Sequence, residues 1–516
     1  MTAARSGSAL DHSMARAVAW NAVARWSSQI ISWISTIIVA RILTPYDYGL
    51  VGMAGVYVNL AAMISQIGLA DAVLTYRELT RRQISELNSV AILLGTGLVG
   101  VSCLLASPLS RFFSAPPLRA VILIASITYF VSGFQVIPRA LLRKELRFKL
   151  LAWIETVRAF SQIMTTVVLA WLHFRYWSLV LGTIISAVVA TAITLYAKRH
   201  EFALPKFLQL KRELQFTAHV LLSGIAWYTY ENADFGVAGR VLGEKPLGNY
   251  TVAWTISSAP VEKITNLITG VTPAYFSAVQ NEKSELRRYL LRLTEIMALL
   301  TMPASVGLAL TADLLVPLLL GPKWVGVVGP LRLLGVFIAA RSITTILPNL
   351  LTAVGEARYV MWTMVIAVIV MPTAFYIGSR WGTNGIAAAW LIAYPPLTIP
   401  LYWRVFQRTS TRVGHYVHAI TPAISGSVSM AAVVLLGRLM LPTNLQLSIK
   451  LVAVVVLGAV AYVASLLLFH RDRVLALVSA IQKIRGGGRQ DIDTPILGTE
   501  PTGKDLDHVV PPRPKR

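Results

Sequence analysis

Charged side chains stand at several points inside long apolar runs of this 516-residue chain. Arg25 lies about two turns into the first run, and Arg341 sits near the middle of another. Glu231 and Asp234 are spaced i, i+3 in a third, which places both carboxylates on one helix face. Glu262 and Lys263 are adjacent within a fourth, about 100° apart around a helix axis. A charge in the middle of a membrane-length apolar helix is costly and usually faces a cavity or a partner, so each is a functional candidate. An arginine there offers a planar donor fork that fits the oxygens of a phosphate. A carboxylate there can carry a proton or a sodium ion. Polar stripes accompany the charges. Asn21, Arg25, Ser28 and Ser32 recur at helical spacing, as do Ser223, Trp227, Glu231 and Asp234, with Tyr228 and Tyr230 beside them. Hydroxyl, amide and flat aromatic groups in such a stripe suit a sugar.

Each candidate has a plainer alternative. Arg25 is only ~9 Å from a membrane interface at ~1.5 Å per residue, close enough to snorkel to it. Glu231 and Asp234 can serve as ion-paired struts in helix assembly, and Lys263 can be neutralised by a carboxylate neighbour. Glu155 and Arg158, also i, i+3, are expected to pair with each other. Trp20, Trp26 and Trp177 fit an interfacial aromatic belt better than a sugar platform.

The elements that carry these residues are membrane helices. Hydrophobic residues make up 55% of the chain and charged ones only 14%, where soluble domains carry about a quarter charged. The excess of 47 Lys and Arg over 24 Asp and Glu gives a net charge of +23. Nucleic acid is not the reason, because the basic residues mark loop ends rather than gather in a soluble domain. The one cysteine, Cys103, excludes an intramolecular disulfide and a cysteine metal cluster, and is expected to be a small buried hydrophobe. No cleavable signal peptide is expected, since the first apolar run continues to Ala40 without a small-residue cleavage site.

A spanning helix needs ~20 mainly apolar residues. Such runs fall at 18–40, 48–70, 88–109, 119–138, 150–171, 176–197, 218–239, 249–275, 290–312, 326–350, 359–379, 384–403, 418–440 and 448–470. The short gap at 380–384 and the prolines after Tyr394 make that stretch the hardest to divide. The count of about fourteen is tested by charge: even-numbered loops carry roughly twice as many Lys and Arg as odd-numbered ones. The two richest carry five each: Arg139, Arg143, Lys144, Arg147 and Lys149, then Lys198, Arg199, Lys206, Lys211 and Arg212. Both termini are therefore expected in the cytoplasm. Residues 1–16 read as an N-terminal segment, 17–197 as a six-helix lobe, 198–217 as a linker and 218–405 as a second lobe. Two more helices with their preceding loop fill 406–470, and 471–516 is an amphipathic segment followed by a disordered tail.

An internal repeat supports two lobes. Ala40-Arg41-Ile42-Leu43 matches Gly239-Arg240-Val241-Leu242 at an offset of 199 residues, and Gly49 and Ala54 fall on Gly248 and Ala253. The offset contains six spans, an even number, so the repeat is parallel, with its pseudo-twofold axis along the membrane normal.

A series of short stretches carries a family resemblance. They are Ala40 to Val51 (ARILTPYDYGLV), Gly68 to Leu74 (GLADAVL), Ile137 to Phe148, and Asn232-Ala233-Asp234 leading into Gly239 to Gly243. Gly248-Asn249-Tyr250 and Leu319-Leu320-Gly321-Pro322-Lys323-Trp324 follow. In this order they resemble the Wzx-type polysaccharide and O-antigen flippases, in the colanic-acid and teichuronic-acid exporter-like subgroup of the multidrug/oligosaccharidyl-lipid/polysaccharide exporter superfamily. The resemblance implies two six-helix bundles plus two C-terminal helices around a central cavity. It implies an undecaprenyl-pyrophosphate-linked oligosaccharide moved across the bacterial inner membrane by alternating access, for export of surface polysaccharide. On that reading Arg25, Arg341, Lys263, Asn21, Ser28, Ser32, Trp227 and Tyr230 line the lumen and bind substrate. Glu231, Asp234 and Glu262 couple transport to H+ or Na+. No catalytic residue, metal or cofactor is expected, and the partners are the lipid-linked oligosaccharide, membrane lipids and other polysaccharide assembly proteins.

Rival readings remain. A multidrug exporter of the same superfamily would share the fold but favour an acid-lined, apolar cavity. A membrane-embedded polysaccharide polymerase or glycosyltransferase would place a sizeable outer loop near the membrane. Here the outer loops are short, with His173 the only histidine among them. A scaffold for the synthesis complex would not need mid-membrane charges. No Gly-x4-Gly-Lys-Ser/Thr loop occurs, so nucleotide hydrolysis by this chain is not expected.

Overall fold

A computed structural model describes residues 35–66, 69–76, 79–199, 201–205, 211–269, 272, 276–277, 279–280, 282–442, 444–471 and 473, without several side chains between 211 and 269. The chain forms two units, Met1–Ser465 and Leu466–Arg516, and everything below concerns the first. The described residues are helical with no strand. After the last helical turns of the first span (α1, 35–42) come α2 (Pro45–Gln66), α3 (Leu69–Thr75), α4 (Arg81–Phe112), α5 (Leu118–Ala125), α6 (Ile127–Lys144), α7 (Phe148–Trp171) and α8 (Trp177–Ala197). The second half holds α9 (Lys211–Leu242), α10 (Glu244–Thr269), α11 (Lys283–Leu319), α12 (Val328–Thr344), α13 (Ile346–Ala353), α14 (Ala357–Gly378), α15 (Gly382–Thr409), α16 (Val413–Met440) and α17 (Leu447–Phe469). Every expected span from the second onward has its helix or helix pair here, save that the end of the expected span 249–275 lies largely outside the described residues. Among the described residues, nine stretches are long and apolar enough to cross a membrane by composition alone, the two helices α14 and α15 counting as one of them.

Local chemistry sets the helix starts. Thr80 caps α4 in a reciprocal box with Gln83: Gln83 N–H donates to Thr80 Oγ1 (3.2 Å) and Thr80 N–H to Gln83 Oε1 (3.0 Å). Thr44 and Asp47 do the same at α2, where Thr44 N–H donates to Asp47 Oδ2 (2.9 Å). The gap at 380–384 is a tight turn through a 3-10 segment, Ser379–Trp381, with Gly382 at φ +68°, a left-handed value that favours glycine. Pro395, Pro396 and Pro400 stay inside α15. Cys103 corrects an expectation: it is exposed on α4, not buried. In a spanning helix the apolar outer face meets lipid, so an apolar run does not by itself say which of its residues are inside.

The repeat appears in the packing. α2 and α10 cross so closely that a Cβ on Gly49 would collide with the Glu244 carbonyl oxygen, and one on Gly248 with the Pro45 carbonyl oxygen. Pro45 and Glu244 are themselves 199 residues apart, so the two contacts exchange places under the repeat, as a twofold axis requires. Gly52 and Thr251, another equivalent pair, meet each other at the crossing.

A second equivalence lies outside the reach of that offset. The corner after α4 turns at Ser114 (φ +56°) and the corner after α11 at Gly321 (φ +97°), 207 residues on. Each receives the arginine of the opposite repeat copy. Arg41 Nε and Nη2 donate to the carbonyls of Leu319 (2.7 Å) and Leu318 (2.5 Å), while Arg240 Nη1 donates to Ser114 Oγ (3.3 Å).

Candidate functional site

Four of the expected site residues converge on one cavity. Trp227, Tyr230 and Glu231 reach it from α9, and Arg341 from α12. The space is about 310 Å³ and is lined by α9, α12, α13, α14 and α15. Thr344, Thr345 and Asn349 continue the Arg341 face at helical spacing, and Thr363, Tyr394 and Thr398 complete the polar wall. Spacing alone puts 341, 345 and 349 on one stripe, a signal the sequence carried beside Arg341. Nothing in the sequence could align Thr363 and Thr398 with it, because they come from other helices.

The centre of the site is an ion pair. Arg341 Nη2 donates to both oxygens of Glu231, at 2.7 and 2.5 Å, with both side chains largely shielded from solvent. The guanidinium carbon also lies 5.8 Å from the ring of Trp254 and 6.0 Å from those of Phe337 and Trp390. Aromatic faces at this range attract a cation by ~0.5–2 kcal/mol each, the more so where water is excluded. The arginine is therefore held by one carboxylate on the cavity side and by ring faces behind.

Asp234 is one turn along α9 and does not line the cavity. It is fully buried. Tyr250 O–H donates to its Oδ2 (2.7 Å), Trp390 Nε1–H to the same oxygen (3.1 Å) and Phe235 N–H to Oδ1 (2.9 Å). Among the described residues no cation bonds this carboxylate.

The remaining expected residues fall elsewhere. Glu262 is exposed on α10 and is not in the cavity wall. Arg25, Asn21, Ser28 and Ser32, and the side chain of Lys263, lie outside the described residues. Glu155 pairs with Arg158 at 3.5 Å as expected, and with Arg139 as well.

With this geometry in view, comparison with known proteins is informative. The profile of a family described as "Polysaccharide biosynthesis protein" matches residues 38–329, more than half of the chain. The chain belongs to this family. It is 26% identical over 392 residues to the lipopolysaccharide biosynthesis protein WzxC of Escherichia coli K12, covering 74% of this chain and 79% of that protein. It is 25% identical over 409 residues to the succinoglycan biosynthesis transport protein ExoT of Rhizobium meliloti, covering 77% and 81%. The resemblance to Wzx-type flippases read from the short stretches is borne out. Among solved structures, the lipid II flippase MurJ in an inward closed conformation superposes with a TM-score of 0.71 over 88% of this chain and 99% of that one. At 14% identity this likeness concerns the fold alone. The fold is that of a multi-helix membrane transporter, and the chain is a multi-pass membrane protein.

Proposed function

We propose that this protein flips an undecaprenyl-pyrophosphate-linked oligosaccharide across the bacterial inner membrane by alternating access, both termini being cytoplasmic, and that it makes and breaks no covalent bond. Membership of a polysaccharide biosynthesis family supports the substrate class. The observation that carries the mechanism is the Arg341–Glu231 pair on a cavity wall inside the helix bundle.

A diphosphate leaving water needs a fixed cation, because an unpaired charge in a low-dielectric interior costs many kcal/mol. Arg341 supplies one, with Arg25 of the first span as a second. Glu231 bonds Arg341 in the position that such an anion would take. When the diphosphate binds Arg341, the carboxylate must leave and be neutralised by a proton or a sodium ion, which couples substrate to ion. Tyr230, Tyr394 and Trp227 offer ring faces, and the threonines offer hydroxyls, to the sugars. Membrane lipids and other polysaccharide assembly proteins are its partners on this reading.

Depletion in cells tests it. Lipid-linked repeat units should accumulate on the inner leaflet while surface polysaccharide falls. Normal surface polysaccharide together with raised sensitivity to a cationic drug would assign a multidrug exporter instead.

A further inference from the structure

Glu231 and Asp234 share a helix face but not an environment. Glu231 faces the cavity and holds the only cation bonded to either carboxylate among the described residues. Asp234 is sealed off, and its oxygens already accept three hydrogen bonds. A carboxylate so engaged has little left to offer a migrating ion. Its partners are more informative. Trp390 Nε1–H donates both to Asp234 and to the Tyr250 hydroxyl (3.1 Å), closing a three-membered polar ring of fully buried side chains.

That ring fixes the aromatic residues behind Arg341. Trp390 stacks on Phe337 at 4.8 Å, Trp254 lies 5.6 Å from Trp390, and Tyr250 lies 6.4 Å from Trp254. Trp254, Phe337 and Trp390 are the three rings that face the guanidinium. An indole free to rotate would present its edge, which repels a cation, as readily as its face. The bond to Asp234 selects one orientation.

We propose that Asp234 is a positioning residue of this site. Through Trp390 and Tyr250 it holds the aromatic bed on which the Arg341 guanidinium stays when Glu231 leaves. The proposal rests on the reading of Arg341 as the anion-binding group, and it gives the two carboxylates different work. Glu231 exchanges with the substrate and carries the coupling. Asp234 keeps its three donors throughout and carries none. The charged and titratable groups around it are Tyr228, Tyr230 and Glu231 on α9, Tyr250 on α10, Arg341 on α12, and Tyr394 on α15 beyond Trp390.

The test measures binding of undecaprenyl pyrophosphate to the purified full chain in nanodiscs, alongside polysaccharide export in cells as a function of external pH and sodium. Trp390→Phe keeps a ring but loses the N–H, and Asp234→Ala removes the anchor. Each should weaken probe binding by about tenfold, the equivalent of one lost cation–π contact, with the pH and sodium dependence of export unchanged. Asp234→Asn keeps an acceptor for Tyr250 and Trp390, so binding should stay within about threefold of wild type. This rescue by the conservative variant separates positioning from coupling. Should Asp234→Ala fail to accumulate, Trp390→Phe and Asp234→Asn decide the matter between them. The proposal is overturned if Asp234→Asn abolishes the pH or sodium dependence of export, which makes Asp234 the ion carrier. It is equally overturned if Trp390→Phe binds the probe like wild type. Absence of probe binding by the wild-type protein would instead strike the reading of Arg341 itself.

Discussion

Arg341 is legible in the sequence as a buried cation, and Glu231 as a buried anion, but not as each other's partner. They are 110 residues apart on helices whose crossing no local pattern specifies. The pairing changes what substitution should do. Arg341→Ala leaves Glu231 enclosed without its cation, and breaking a buried pair from one side costs about 3–5 kcal/mol. Thermal stability in detergent should therefore fall along with export. Replacing both with glutamine removes both charges together and should recover most of the stability, because no uncompensated charge remains. Export should stay absent. If the double variant exports normally, the pair is a strut and the cavity is not the substrate site. Arg341→Lys keeps the charge without the donor fork and should retain partial export. Glu231→Gln frees Arg341 permanently, so substrate should still bind while the dependence of export on pH or sodium flattens, as flux measurements at varied pH and sodium would report. The polar wall of Thr345, Asn349, Thr363 and Thr398 was less visible. Threonine is common in membrane helices for packing reasons as well, and only the fold shows which of them face the cavity.

The helices themselves were largely readable, because the lipid bilayer imposes a length and a composition on each one. The expected spans err mainly at their ends: α9 extends to Lys211–Leu242 and α11 to Lys283–Leu319, since charged turns outside the hydrocarbon continue the helix without adding hydropathy. The break of one span into α5 and α6 at Ser126, and of another into α12 and α13 at Thr345, left no mark in the apolar pattern. The repeat was legible as matched glycines, and the structure supplies their reason. Gly49 and Gly248 each lie under a carbonyl of the opposite copy, where even a methyl group has no room. Backbone cannot yield as a side chain can, so overpacking here should cost at least the upper part of the usual ~1–3 kcal/mol range. Gly49→Ala and Gly248→Ala should each lower the melting temperature, and by similar amounts, because the repeat makes their surroundings equivalent. Gly97→Ala, inside α4 with open space around its Cβ position, is the control and should leave the melting temperature unchanged or slightly raised. A large drop for one glycine of the pair and none for the other would contradict the twofold packing.

At the scale of the whole molecule, the loops ending α1, α4, α9 and α11 meet one another, and all four are odd-numbered in the expected span count. Their meeting agrees with that count, since one missed or invented span between them would place them on opposite faces. On the proposed orientation, with both termini in the cytoplasm, this face is the outer one, and cysteine labelling checks it. In a Cys103→Ser background, cysteines at Ser114 and Lys245 should react with an impermeant reagent from outside, and those at Glu201 and Ser284 only after permeabilisation. The same face holds the contacts that alternating access has to break. The last carbonyls of α1 are bonded from the other half: Lys323 Nζ donates to Arg41 O (2.6 Å) and Ile42 O (3.3 Å), and Trp324 Nε1 to Ala40 O (2.8 Å). Arg41 in turn bonds the last carbonyls of α11. Thus α1 lends Arg41 to the negative end of α11, and the segment just after α11 lends Lys323 to the negative end of α1, where unpaired carbonyls concentrate. On the opposite side of the axis, among the described residues, the Arg240–Ser114 bond corresponds to this exchange. The exchange is therefore uneven, with more bonds between α1 and the corner after α11 than between Arg240 and Ser114. Hydrogen bonds to charged groups contribute about 1.5–3 kcal/mol each. Removing the two cations, which make four such bonds, should move the equilibrium between outward-closed and outward-open states by more than tenfold. In the Cys103→Ser background, a cysteine at Thr345 on the cavity wall reports the open state through its rate of labelling from outside. That rate should rise by at least this factor when Arg41 and Lys323 are both changed to alanine, and by much less for Arg240→Ala. If the double variant labels Thr345→Cys no faster than its parent, the α1–α11 bonds tie the helices together without gating the cavity.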